Sequence, residues 1–96
     1  MARVYLTRRF QKSFEALDPP VQERIRAALE GIATNPLKGK ALTGPLEGEF
    51  SFRVGSYRII YSFDPTADVV WLETVRHRRE VHRRSMVTDS TVRPRE

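Results

Sequence analysis

From Phe50 to Phe63 the chain alternates large apolar and polar residues on both sides of Gly55-Ser56, a pattern that specifies a two-residue β-hairpin. In that register Phe50, Phe52, Val54, Tyr57, Ile59, Tyr61 and Phe63 share one face. Ser51, Arg53, Arg58 and Ser62 share the other. The first face builds a core and the second meets a ligand. Arg53 and Arg58 then stand directly opposite each other. Like charges paired across strands are destabilising, whereas a phosphate between two guanidinium groups turns the repulsion into two charge-assisted contacts. A bound anion accounts for the pairing.

The segments around the hairpin supply its support. Residues 2–6 read as a short strand, and Thr7 is placed to cap a helix through about Leu17, with Phe10, Phe14 and Leu17 on one face. Asp18 caps a second helix with proline in its first turn, and Val21, Ile25, Ala28, Leu29 and Ile32 form its apolar stripe up to Asn35-Pro36. These two helices are expected to pack as an antiparallel hairpin. Residues 37–48 read as a loop with one turn around Leu42 and Leu46, carrying Lys38 and Lys40 near the β-hairpin. Strands follow at about 49–54, 57–63 and 69–76 as an antiparallel meander. The five-residue loop 64–68 leaves open which face of the last strand joins the core. The arginine- and histidine-rich stretch 76–84 reads as a strand end passing into a short helix. Residues 85–96 lack apolar periodicity and are expected to be disordered. The expected architecture is therefore α+β, a small antiparallel sheet of about four strands on an N-terminal helical hairpin, with one domain over residues 1–84.

Ninety-six residues suffice for one modest core and leave little room for a large enclosed cavity. Seventeen basic against 12 acidic residues give a net charge of +5, which points to a polyanion or an acidic protein as partner. The absence of cysteine excludes disulfides and thiolate metal sites and is compatible with a reducing cytoplasm. Neither a signal-peptide run nor a bilayer-spanning stretch is present, so a cytoplasmic protein without a membrane partner is expected.

Two words in the chain, Phe52-Arg53-Val54-Gly55-Ser56-Tyr57-Arg58-Ile59-Ile60-Tyr61 and Val75-Arg76-His77-Arg78-Arg79-Glu80-Val81-His82, carry a family resemblance. With the preceding helices, the Asn35-Pro36 break and the Leu42-x-Gly44 loop, the chain resembles the RelE/ParE toxin superfamily of bacterial toxin–antitoxin systems over nearly all of residues 2–84. The resemblance implies a small sheet backed by two N-terminal helices. It also implies a choice of function, because RelE-like members cleave mRNA in the ribosomal A site while ParE-like members inhibit DNA gyrase on the same fold.

RNA cleavage without a metal needs a base for the 2′-hydroxyl, positive charge on the phosphate and an acid for the leaving oxygen. By resemblance, Arg53, Arg58 and Arg78 match positions where RelE-like nucleases carry catalytic basic residues. His82 matches a position usually held by a catalytic tyrosine, and histidine can also transfer protons. Lys38, Lys40, Arg76, Arg79, Arg83 and Arg84 form an RNA-binding rim in this reading. The chain departs from the family in having Ser51 where some nucleases have lysine, which leaves Glu47 or Glu49 as substitute bases. No cofactor or metal is implied. The implied partners are mRNA, the ribosome and an acidic antitoxin, with operator DNA reached only through the antitoxin complex. The alternatives are a gyrase inhibitor without chemistry and an inactive relative acting with its antitoxin as a repressor. For single residues, Arg58 has the structural alternative of pairing with Glu73. His77 reads as structural, and Tyr57, Tyr61 and Trp71 as core, with stacking on a splayed base as the alternative for Trp71.

Overall fold

The hairpin is the centre of the sheet in a computed structural model that describes residues 1–79. β3 (Glu49–Val54) pairs antiparallel with β4 (Tyr57–Asp64), and β4 pairs antiparallel with β5 (Val69–His77). Two further strands complete it, β1 (Arg3–Leu6) and β2 (Lys40–Ala41), in the order β1-β5-β4-β3-β2. The sheet thus has five strands and is mixed, because β1 runs parallel to β5. This corrects the expectation of about four antiparallel strands. A parallel pair joins the two ends of the described chain, so nothing local announces it. β2 is only two residues long, inside a Pro-, Gly- and Lys-rich loop that also contains a short 3-10 helix, Gly44–Leu46.

Both helices, α1 (Arg8–Glu15) and α2 (Pro19–Thr34), pack on one face of the sheet. Phe10, Ile25 and Ile32 from the helices meet Ile59, Tyr61, Val70, Leu72 and Val75 from the strands, with Phe50, Phe52, Val54, Tyr57 and Phe63 packed around them. Each large apolar side chain buried here stabilises the fold by roughly 1.5–3 kcal/mol relative to exposure. Gln22 donates to the Phe14 carbonyl at 3.0 Å, and the Arg26 guanidinium lies 5.3 Å from the Phe14 ring centre, so the start of α2 is tied to the end of α1.

Local chemistry sets the helix ends. Thr7 caps α1 as expected, its hydroxyl accepting from the Phe10 N–H at 3.1 Å. The same hydroxyl lies 2.7 Å from the Leu72 carbonyl, fixing α1 where β1 stops. Ser13 continues this seam, with its Oγ 3.1 Å from the buried Thr74 hydroxyl and accepting from the Val75 N–H at 3.5 Å. α1 therefore covers the edge of β5 that β1 leaves open. α1 ends at Glu15, short of Leu17, with Ala16 as its C-cap. Asp18 occupies the N-cap of α2, yet its carboxylate makes no capping bond. Prolines at the first two helical positions carry no N–H, and the Asp18 backbone carbonyl accepts from Val21 and Gln22 instead.

β5 resolves the face left open in the sequence. Ile60 pairs with Thr74 but Tyr61 pairs with Leu72, so Glu73 is the extra residue of a bulge. The bulge changes the phase of the strand, letting Val70, Leu72 and Val75 all join the core. Arg78 and Arg79, directly after β5, are helical and begin the short helix expected there, while the rest of it, the domain limit at residue 84 and the tail 85–96 lie outside the described residues.

Candidate functional site

The predicted register holds: Arg53 is the partner of Arg58 and Val54 of Tyr57 across a two-residue loop. Gly55 has φ 62°, as the first position of a II′-type hairpin turn requires, and Ser56 has no positive φ. Arg58 is in turn the partner of Arg76 on β5. Three arginines therefore form one cross-strand row, Arg53-Arg58-Arg76, on the face away from α1 and α2. Directly opposite Cβ atoms are about 4.5–5.5 Å apart, so neighbouring guanidinium groups in the row can grip one anion. The Arg78 N–H donates to the Ser56 carbonyl at 2.8 Å, which holds Arg78 beside the same turn.

Among the described residues, no carboxylate lies within ion-pair distance of Arg53, Arg58 or Arg78. Glu73, the structural alternative for Arg58, accepts instead from the Ser62 hydroxyl at 3.2 Å. Glu49 is the partner of Ser62, four residues along β4 from Arg58 and so roughly 13 Å from the row. Glu47 is exposed at the end of the short 3-10 helix.

The other predicted residues divide between the two faces. Lys40 is the partner of Ser51, one pleat from Arg53 on the same face, and extends the basic row toward β2. Lys38 lies on the opposite side, its ammonium 5.6 Å from the centre of the core-facing Phe52 ring. The structure therefore separates Lys38 from the arginine row. His77 meets the Tyr57 ring edge-on at 5.0 Å between centres and accepts the Arg79 N–H on Nδ1 at 3.0 Å. With Ser13, Ala16, Leu17 and Val75 these residues line an open cleft of about 510 Å³ on the helix side of the sheet. His82, Arg83 and Arg84 lie outside the described residues.

The structure places Arg76 beside Arg58 in the cross-strand row. Its place was hidden by the bulge at Glu73, and only the residue-by-residue pairing of β5 reveals it. Trp71 is 43% exposed and not part of the core. Tyr61 is buried as expected, and its hydroxyl donates to the Pro36 carbonyl at 2.7 Å while accepting from the Gly39 N–H at 3.0 Å.

A helix-backed mixed sheet with a cationic hairpin end on its open face defines the RelE-like class of small α+β toxins. The chain belongs to the ParE toxin family of type II toxin–antitoxin systems, whose family model matches residues 4–82. It is 36% identical to toxin RelG of Mycobacterium tuberculosis over 61 residues, covering 62% of this chain and 70% of that protein. The toxin–antitoxin complex RelBE2 from M. tuberculosis contains a chain of the same fold, with a TM-score of 0.75 at 29% identity, covering 79% of this chain and 96% of that one. The isolated RelE toxin of Escherichia coli shares the fold at 20% identity, with a TM-score of 0.70 over 90% of this chain and 96% of that one. Among the described residues no helix is long and apolar enough to cross a membrane.

Proposed function

We propose that this toxin is an endoribonuclease that cleaves mRNA in the ribosomal A site. The observation that carries the reading is the cross-strand pair Arg53–Arg58, with no carboxylate among the described residues in ion-pair contact with either. A purely structural pair of like charges would be balanced by acids. In the proposed reaction the 2′-oxygen attacks the adjacent phosphorus and its proton passes to a base. The bond to the 5′-oxygen breaks, and that oxygen takes up a proton. The products are a 2′,3′-cyclic phosphate and a 5′-hydroxyl. Arg53 and Arg58 bear on the non-bridging oxygens as negative charge develops there, and Arg78 approaches from the turn. His82 is the proposed proton-transfer group. Lys40 extends the contact to the phosphate backbone, and Arg79, Arg83 and Arg84 add affinity for ribosomal RNA.

An acidic antitoxin is the proposed neutralising partner, since charge complementarity with this face speeds association. The structural relatives solved with antitoxins support such a partner. Operator DNA is reached through that complex.

A second reading is favoured by the ParE description of the matching family: inhibition of DNA gyrase by binding alone. Primer extension on translated mRNA after induction of the toxin separates the two. Discrete cuts at codon spacing are expected. Intact messages together with gyrase-linked DNA breaks would replace the nuclease reading by the second.

A further inference from the structure

The open face carries a second feature at the end away from the arginine row. Tyr5 and Trp71 are partners across the β1–β5 pair, and their rings stack with centres 5.0 Å apart and planes inclined at 29°. Both remain exposed, at 42% and 43%. Single exposed aromatic residues are ordinary, but two in contact on the sheet face away from α1 and α2 form a ready stacking surface.

Register places this surface on the track of the arginines. Trp71 is the partner of Ser62, and Ser62 lies four residues from Arg58 along β4 on the same face. The separation is roughly 13 Å, a gap that about two or three nucleotides of a single strand bridge. Lys40 lies on β2, at the opposite edge of the sheet from β1. Arg3, exposed and two residues before Tyr5 on the same face of β1, lies beyond the stack. On the β4 side the charges next to the rings are acidic. Glu49 is a partner of Ser62, and the Glu73 carboxylate accepts from the Ser62 hydroxyl at 3.2 Å. Carboxylates repel a phosphate but accept hydrogen bonds from the exocyclic amines of a base. A basic end, an aromatic end and acids only beside the aromatics match a phosphate at one end and a base at the other.

We propose that Tyr5 and Trp71 form a stacking platform for one base of the single-stranded RNA, two or three nucleotides from the phosphate held by Arg53 and Arg58. Glu73 and Glu49 face the amino edge of that base. The proposal rests on the nuclease reading for the identity of the strand, and it adds positioning residues that place the message across the sheet.

Trp71 is the chain's one tryptophan, so its emission reports on this surface alone. The test titrates the purified toxin with a short single-stranded oligoribonucleotide and with an abasic strand of the same length, following Trp71 emission and the anisotropy of an end label. The base-bearing strand is expected to quench Trp71, and the abasic strand to bind without quenching. Tyr5→Ala and Trp71→Ala, checked for fold by circular dichroism, are expected to weaken the base-bearing strand by roughly 5- to 150-fold. They should leave the abasic strand unchanged, and Trp71→Phe should restore most of the affinity. Equal quenching by both strands overturns the proposal, as does unchanged affinity in the alanine variants. Loss of antitoxin binding with RNA affinity intact also overturns it and makes the surface a protein contact. Primer extension reports separately: cuts with a silent Trp71 remove the platform and keep the nuclease, while quenching without cuts does the reverse.

Discussion

Arg53 and Arg58 occupy a register that costs the isolated hairpin stability, and that cost distinguishes an anion site from a solvated basic surface. Arg53→Ala and Arg58→Ala are each expected to abolish toxicity by removing about 10²- to 10³-fold of transition-state stabilisation, while leaving thermal stability equal or slightly raised. Variants that stay fully toxic in a growth assay would refute the anion site. Arg76, now the third member of the row, is expected to join them in a toxicity screen. Tyr61 makes a different forecast, one about stability. Burial raises its phenol above the ordinary tyrosine range, and the Gly39 N–H works in the opposite direction. The folded state therefore holds this proton more tightly than the unfolded chain. The resulting stabilisation is fully present below about pH 10 and is lost as the pH rises through the folded-state value. Tyr61→Phe should remove that alkaline loss. It should also cost about 1–3 kcal/mol at neutral pH, because the Pro36 carbonyl and Gly39 N–H lose their partner. Urea melts at neutral and alkaline pH measure both effects, and an unchanged alkaline slope in the variant would exclude Tyr61 as its source.

At the scale of elements, the junction of β1 and α1 rests on one hydroxyl, because Thr7 both caps the helix and meets the Leu72 carbonyl across the β5 edge. Thr7→Ala is expected to cost about 1–2 kcal/mol in a denaturant titration, with Thr7→Ser recovering most of it. Full stability of the alanine variant would mean that the β1–β5 ladder and the Thr7 N–H to Leu72 carbonyl bond hold the junction without the hydroxyl. Thr7 was legible as a cap because capping is local, and so was the hairpin, where turn chemistry and alternation agree within fourteen residues of each other. The paired Arg53 and Arg58 followed from that agreement. Elements specified at a distance were not legible. Strand β1 reads as a strand, but its parallel place beside β5 depends on the whole topology, and β2 exists only because β3 offers an edge. The bulge at Glu73 is the sharpest case, since a single extra residue changed the face of everything after it and concealed that Arg76 joins the row. The exposed Trp71 was misassigned for a related reason: Val69-Val70-Trp71-Leu72 is a continuous apolar run, and periodicity cannot say which member faces out.

For the whole molecule, the sheet divides the chain into a core side and an open cationic side, where among the described residues no carboxylate is within ion-pair distance of Arg53 or Arg58. If the proposed function holds, this distribution makes the toxin dependent on its setting. Arginines stabilise a developing phosphorane but cannot align the 2′-oxygen, phosphorus and leaving oxygen of a flexible strand, so the ribosome must hold the message in that geometry. The purified protein is accordingly expected to leave free RNA largely intact under conditions where ribosome-bound message is cut. The remaining requirement is proton transfer, assigned to His82 beyond the described residues. His82→Ala should slow single-turnover cleavage by roughly 10²- to 10⁴-fold at saturating ribosome with little change in binding. His82→Tyr should keep part of the rate, since a tyrosine can serve the same step. A histidine that only adds to the basic rim makes the opposite forecast, because its loss would change affinity and salt dependence and leave the chemical step alone. The single-turnover rate separates these outcomes, and an unchanged rate for His82→Ala would move the proton transfer to Glu47, Glu49 or the RNA itself.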